Sequence, residues 1–194
     1  MNPTISEFKS LFIESFYEPT YDKWRVKQEK AGKDIVGEEY ESFRKKYYAK
    51  KGLNPIKGKR VFGDLNPDIV VYKGDEVVLI EECKGHYIDK CFLERAIGDA
   101  VSIFEWCVEN NNPVPYYVLS CATNLSSFQT IFDSRLKIYR KDLSNLLREK
   151  FKFLPLCEHG RVGEKSYFKS KESCFSINEK LIENQELFID SIIQ

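Results

Sequence analysis

Apolar residues recur at helical spacing in several parts of the chain. Side chains three and four positions apart share one face of a helix, so this spacing predicts amphipathic helices with one buried face. Gly52 and Pro55 are expected to end the second of these helices, and Pro113 to end the third. The pattern is found over residues 4–17, 36–51, 89–109 and 178–193.

Short continuous apolar runs lie between these helices. Residues 69–72 and 77–84 are β-branched and aliphatic, and they flank a polar turn, which predicts a β-hairpin. Residues 114–122 form a nearly continuous apolar run, typical of a strand covered on both faces of a sheet. Further along we expect a short helix near 126–133, a strand at 136–139 and a helix at 142–151.

The order of the elements, helix–hairpin–helix–strand–helix, predicts the fold class. It indicates a single α/β domain over residues 1–194, with a mixed β-sheet flanked by helices. The chain has 194 residues, of which 42% are hydrophobic and 14% aromatic, so it can bury one core and wholesale disorder is excluded.

The charge balance excludes some classes of protein. Lysine and arginine number 30, as do aspartate and glutamate, which excludes a globally basic nucleic-acid binder but permits a local basic cleft. No apolar run approaches the roughly 20 residues of a membrane span, and the first residues are polar, so we expect neither membrane insertion nor secretion. The chain contains no GxxxxGK[ST] motif, so no nucleotide cofactor is expected.

The cysteines predict a reducing environment. None of the six belongs to a CxxC pair, and only two histidines accompany them, so an ordinary zinc ligand set is not expected. Most lie among apolar residues, as Cys107 and Cys121 do, where a thiol behaves as a small hydrophobe. We therefore expect reduced cysteines and a cytoplasmic location.

Three polar side chains near the predicted hairpin carry the candidate chemistry. Glu82 and Lys84 are two apart on a predicted strand, so they project from the same face, and Asp68 begins the neighbouring strand. Two converging carboxylates repel each other, and a hard divalent cation such as Mg²⁺ would compensate them. A lysine beside that ion would hold the water molecule that attacks the substrate. Its positive charge would also stabilise the negative charge that builds up on a phosphorus atom.

The register of the hairpin tests this interpretation. A three-residue loop at 74–76 pairs Asp68 with Glu82, whereas a two-residue loop at 74–75 pairs Asp68 with Glu81 and turns Glu82 away. If the site is catalytic, we therefore expect the three-residue loop, or a bulge that restores the pairing of Asp68 with Glu82. The alternative is that these charges simply line an exposed hairpin edge.

Asp68, Glu82 and Lys84 in this order resemble the core motif of the PD-(D/E)xK nuclease superfamily. Pro67 and Asp68 are followed by 13 residues and then by Glu82-Cys83-Lys84, with a helix and an apolar strand after the hairpin. The resemblance covers about residues 36–122 and implies a restriction-endonuclease-like fold.

The resemblance also implies an activity and roles for these residues. The implied activity is Mg²⁺-dependent cleavage of DNA phosphodiester bonds, with Mn²⁺ expected to replace Mg²⁺. Asp68, Glu82 and Lys84 would be catalytic, and Asp68, Glu82 and the backbone carbonyl of Cys83 would hold the metal. Glu81 faces the opposite side of a regular strand and is expected to be structural or to support the site indirectly.

A helix before the hairpin often adds a glutamate in this superfamily. The stretch Tyr40-Glu41-Ser42-Phe43 is similar to the corresponding helix of Mrr-like restriction enzymes, which favours Glu41 as a further catalytic residue. A helical wheel instead places Glu39 nearer the apolar face. Both candidates stay open.

Basic residues gather on both sides of the motif, which favours phosphate contacts along a groove. Ion pairs on helix faces, such as Glu41–Lys45, explain at least half of these charges instead. The candidate DNA-binding residues are Lys57, Lys59, Arg60, His86, Arg161 and Lys165, and His86 is alternatively a loop histidine with an ordinary hydrogen bond. The wider groups comprise Arg44, Lys45, Lys46, Lys50, Lys51, Arg135, Lys137, Arg140, Lys141, Lys169 and Lys171.

The size of the chain refines the expected function. Two-fold symmetry lets a small chain cut both strands, so we expect a Type II restriction endonuclease that acts as a homodimer on double-stranded DNA. Residues 1–35 and 123–194 would then supply recognition or dimerisation elements. Two alternatives remain: a structure- or damage-specific nuclease, such as a junction resolvase or repair enzyme, and a non-catalytic DNA-binding module.

Overall fold

A computed structural model describes residues 3–18, 35–58, 61–62, 65–84, 89–123, 127–157 and 178–194. Within them lie six α-helices and five β-strands. The helices are α1 (Pro3–Phe12), which continues as a π-helical turn (Ile13–Tyr17), α2 (Ile35–Lys50), α3 (Lys90–Glu109), α4 (Phe128–Leu136), α5 (Lys141–Lys150) and α6 (Glu179–Ile193). The strands are β1 (Asn54–Lys57), β2 (Ile69–Lys73), β3 (Glu76–Lys84), β4 (Tyr116–Thr123) and β5 (Phe151–Cys157).

The five strands form one mixed sheet in the order β1-β2-β3-β4-β5. Strand β2 runs antiparallel to both β1 and β3, while β4 runs parallel to both β3 and β5. The predicted single α/β domain with a mixed sheet is therefore confirmed. Helices cover both faces of the central strands, so β2 and β4 are largely apolar, and β3 is apolar from Val77 to Ile80.

Alternating residues of the sheet enter two separate cores. Ile69 and Leu79 face α1, α2 and α6, where Phe8, Phe12 and Phe43 meet edge to face. On the opposite face, a second core forms against α3, α4 and α5. It contains Val70, Ile80, Leu119, Ile97 and Phe104. The period of two along β2 and β3 therefore decides which polar side chains lie on which face.

The ends of two helices show how the sequence sets the boundaries. Gly52 has φ +78°, and the backbone N–H of Leu53 donates to Tyr48 O at 3.1 Å, so glycine ends α2 in the left-handed conformation as predicted. At the start of α6, the side chain of Asn178 accepts hydrogen bonds from the N–H groups of Lys180 and Leu181.

One predicted strand was wrong and two strands were missed. Residues 136–139 contain the end of α4 and a turn, and Ile138 is 64% exposed. The two edge strands β1 and β5 were not predicted, because each contains a proline, Pro55 or Pro155. Proline cannot donate a hydrogen bond to a sheet ladder, but an edge strand needs only one ladder, so it tolerates the missing donor.

Two further properties concern the described residues as a whole. None of the described helices is both long and apolar enough to cross a membrane. Among the described cysteines, Cys83, Cys91, Cys107 and Cys121 carry free thiols.

Candidate active site

A bulge in β3 sets the register of the hairpin. The turn has two residues, since Lys73 pairs with Glu76, but the pairing shifts by one residue between Tyr72–Val77 and Val71–Leu79. Val78 is therefore the extra residue of β3. Beyond the bulge Ile69 pairs with Glu81, so Asp68 lies opposite Glu82. The predicted register is thus confirmed, through a bulge rather than a longer loop.

Two backbone contacts hold Asp68 at the start of β2. The N–H of Cys83 donates to Asp68 Oδ2 at 2.8 Å, which continues the hairpin ladder through a side chain. The N–H of Gly58 donates to the backbone oxygen of Asp68 at 3.4 Å. A Cβ on Gly58 would lie 2.3 Å from Pro67 O, so only glycine permits this approach of β1 to the Pro67-Asp68 segment.

The carboxyl groups of Asp68 and Glu82 form a half-buried pair joined by a hydrogen bond. Burial, the nearby charge of Asp68 and this hydrogen bond raise the pKa of Glu82 to about 8. Burial also raises the pKa of Asp68, against the lowering effect of the Cys83 N–H. The pair therefore shares one proton more readily near neutral pH than two separate carboxyl groups would.

Lys84 lies on the same face of β3 as Glu82 but points towards α3. Its Nζ atom is 4.2 Å from the centroid of the Phe92 ring. Among the described residues Lys84 forms no ion pair with Asp68 or Glu82. The structure therefore places the ammonium group over an aromatic ring and does not bring it into an ion pair with either carboxyl group.

Sequence reasoning missed two side chains that adjoin the pair. Asp99 on α3 is half-buried, and its charge contributes to the raised pKa of Glu82. The hydroxyl of Tyr117 on β4 is fully buried and has no hydrogen-bond partner among the described residues. Asp99 lies at helical spacing from the buried Ala96 and Ile103, and an acid in that position is a signal that could have revealed it.

Of the two candidate glutamates on α2, Glu41 has the clearer relation to the pair. Its charge raises the pKa of Asp68, after the effects of burial and of the Cys83 N–H. Its carboxylate also pairs with Lys45 one turn along α2. Both Glu41 and Glu39 are partly buried. The electrostatic contact with Asp68 supports Glu41.

Glu81, the neighbour of Glu82, belongs to a buried polar network on the opposite face. Arg44 Nε donates to Glu81 Oε1 at 2.6 Å, and both side chains are 0% exposed. Arg44 also donates to Gln185 Oε1 of α6 at 2.8 Å and to the Tyr48 hydroxyl at 3.0 Å. Glu81 has the structural role that was one of its two expected roles.

Most of the basic residues that the structure describes in these groups have a partner or a burial that explains them without a phosphate. Arg44 is completely buried, so its assignment to a phosphate-binding group was wrong. Several others are tied to acids: Lys45 to Glu41, Lys51 to Glu186 and Asp190, Arg135 to Glu94, and Arg140 to Glu105 and Asp142. Lys57 is exposed on the edge strand β1. The other candidate DNA contacts, Lys59, Arg60, His86, Arg161 and Lys165, lie outside the described residues.

The donor set of the pair fits a small hard cation. The described residues contain no group of three or more histidine, cysteine, aspartate or glutamate side chains arranged to hold a metal. Mg²⁺ needs fewer, because it binds through one or two carboxylates and keeps several waters. Asp68 and Glu82 supply the two carboxylates. The N–H and C=O of one strand residue point to the same side, so the Cys83 carbonyl is expected to face Asp68 as its N–H does.

No family model, curated protein or solved structure matches this chain. The resemblance to the PD-(D/E)xK nucleases consequently rests on Asp68, Glu82 and Lys84 and on their surroundings.

Proposed function

We propose that this chain is a Mg²⁺-dependent DNA endonuclease with a restriction-endonuclease-like sheet. The observation that carries the proposal is the bulge at Val78, which turns Glu82 to the same face as Asp68. The two carboxyls then meet in a half-buried position, where their repulsion disfavours the charged pair unless a cation joins it. An exposed hairpin edge would not explain such an arrangement, because its charges would remain in water.

The chemistry of the proposed site follows from its side chains. Asp68, Glu82 and the Cys83 carbonyl would bind the cation, which would polarise the phosphodiester and lower the pKa of a bound water. Lys84 lies two residues beyond Glu82 on the same face of β3, and its positive charge would stabilise the negative charge that develops on phosphorus. Glu41 would orient water from the α2 side, and its pairing with Lys45 limits its motion.

We also propose a particular substrate and oligomeric state. The proposed enzyme is a Type II restriction endonuclease that acts as a homodimer on double-stranded DNA, because two copies of the Asp68–Glu82 site would cut the two strands. The free thiols of the described cysteines support a cytoplasmic location for such an enzyme.

Digestion of plasmid DNA tests the proposal. We expect cleavage with Mg²⁺ or Mn²⁺ and none with EDTA, and discrete fragments if the enzyme recognises a sequence. Lys84→Ala and Asp68→Asn should each lower the rate by at least about a hundredfold. Asp75→Asn in the exposed hairpin turn is the matched control and should cleave normally.

The digestion pattern also separates the alternatives. Selective cutting of cruciform or mismatched DNA would favour a structure- or damage-specific nuclease. If purified wild-type protein binds DNA without nicking it in either metal, the nuclease proposal is wrong and a binding module is favoured.

A further inference from the structure

A second feature lies directly beside the carboxyl pair, where α3 passes the end of β3. The Lys84 Nζ atom is 4.2 Å from the Phe92 ring centroid, and the Arg95 guanidinium carbon is 4.8 Å from the same centroid. One half-buried aromatic ring therefore gathers two cations from two different elements. We call Lys84 and Arg95 the cation pair.

The cation pair is not tied into salt bridges within the part of the chain that the structure describes. Neither Lys84 nor Arg95 forms an ion pair there, whereas the neighbouring Glu94 is already taken by Arg135 at 2.5 Å. Arg95 is exposed to solvent, although its charge still acts on Glu82 and Asp99. An exposed guanidinium held over a ring keeps its N–H donors available for an anion.

We propose that Phe92, Lys84 and Arg95 bind the phosphodiester backbone of the substrate next to the carboxyl pair. This inference deepens the proposed nuclease function and rests on it. Phe92 is the positioning residue, since its ring holds both cations. Lys84 faces the scissile phosphate, and Arg95, nearer the solvent, contacts the same or an adjacent phosphate through its planar fork of donors.

The charge balance around the pair supports a phosphodiester as ligand. Asp68, Glu82 and Asp99 contribute three negative charges when ionised, and the cation pair contributes two positive ones. A bound divalent cation therefore leaves one net positive charge, which matches one phosphodiester anion. Without Arg95 the same site would be neutral and would attract DNA less strongly.

Binding of duplex DNA, measured by fluorescence anisotropy with Ca²⁺ in place of Mg²⁺, tests the inference. Arg95→Gln should weaken binding about fivefold to tenfold and lower the slope of log affinity against log salt by about one, as expected for one lost phosphate contact. Phe92→Leu keeps both charges but removes the ring, and should weaken binding about threefold to tenfold. Arg140→Gln, which removes the same charge from an exposed arginine paired with acids, is the control and should bind like the wild type.

The outcomes separate this inference from the proposed function. If Arg95→Gln and Phe92→Leu bind as tightly as Arg140→Gln, or if wild-type protein binds no duplex at low salt, the inference is wrong. If the two variants weaken binding while the wild type cleaves no DNA in Mg²⁺, the phosphate contacts stand and the nuclease function is wrong.

Discussion

Arg44 and Glu81 form a completely buried ion pair, with 2.6 Å between Arg44 Nε and Glu81 Oε1. Burial alone would lower the pKa of Arg44, but the negative charge of Glu81 raises it above its usual value, so the guanidinium stays ionised. The pair fixes β3 against α2 at the residue next to Glu82, and Gln185 extends the contact to α6.

Removing one member of this pair should be costly. Arg44→Met leaves Glu81 as an uncompensated buried charge, and we expect the free energy of unfolding to fall by about 3–5 kcal/mol in urea titrations. Arg140→Met, at an exposed arginine, should change it by less than about 0.5 kcal/mol. The double variant Arg44→Met/Glu81→Gln should lose less than the two single variants together, because no unpaired charge remains. Additive losses would show that the two residues do not interact.

The contact between Gly58 and Pro67 predicts a position that tolerates no side chain. Gly58→Ala puts a Cβ against backbone atoms of Pro67, and we expect a loss of about 1–3 kcal/mol in the free energy of unfolding. Cleavage should fall as well, since the same contact holds Asp68. Gly98→Ala, inside α3 with nothing within 4 Å of the new Cβ, should instead stabilise the protein by about 0.5–1 kcal/mol. An equal effect of both substitutions would contradict this account.

The raised pKa of Glu82 predicts how stability depends on pH without metal. Its pKa is about 8 in the folded protein and close to 4.5 when unfolded, so the folded state binds the extra proton between these values. The contribution of Glu82 to the free energy of unfolding is therefore greatest below about pH 4.5. It falls by about 1 kcal/mol per pH unit as the pH rises towards 8. Unfolding in EDTA at several pH values measures the slope. Glu82→Gln should flatten it and exceed the wild type in stability at pH 8, while Asp75→Asn should retain the wild-type slope.

The pairing of Asp68 with Glu82 could be predicted from the sequence, because side chains alternate strictly between the two faces of a strand. Asp68 and Glu82 could share a face only if the hairpin had a three-residue loop or a bulge, and the structure has the bulge at Val78. Which residue bulges could not be predicted, since Val77, Val78 and Leu79 are all apolar and fit either face. The helices followed from the period of 3.6, and the central strands followed from short continuous apolar runs.

The burial of Arg44 could have been predicted from the sequence, whereas the contacts of Arg44 and Lys84 depend on the tertiary structure. Arg44 lies at helical spacing from the buried Tyr40 and Tyr47, so an apolar-stripe position already indicated burial. Its partner Glu81 could not be identified, because that contact joins α2 to the middle of the sheet. The meeting of Lys84 with Phe92 likewise depends on where α3 crosses β3, which no local pattern determines.

Titration of Mg²⁺ into metal-free protein, followed by calorimetry and by the melting temperature, tests the carboxyl pair most directly. The wild type and Asp75→Asn should bind Mg²⁺ and melt at a higher temperature with it, whereas Asp68→Asn and Glu82→Gln should lose both effects. Binding should tighten as pH rises towards 8, because the cation displaces the proton of Glu82. Equal Mg²⁺ binding by Asp68→Asn and the wild type, or no binding of Mg²⁺ or Mn²⁺ by either, would contradict the assignment of Asp68 and Glu82 as a cation site.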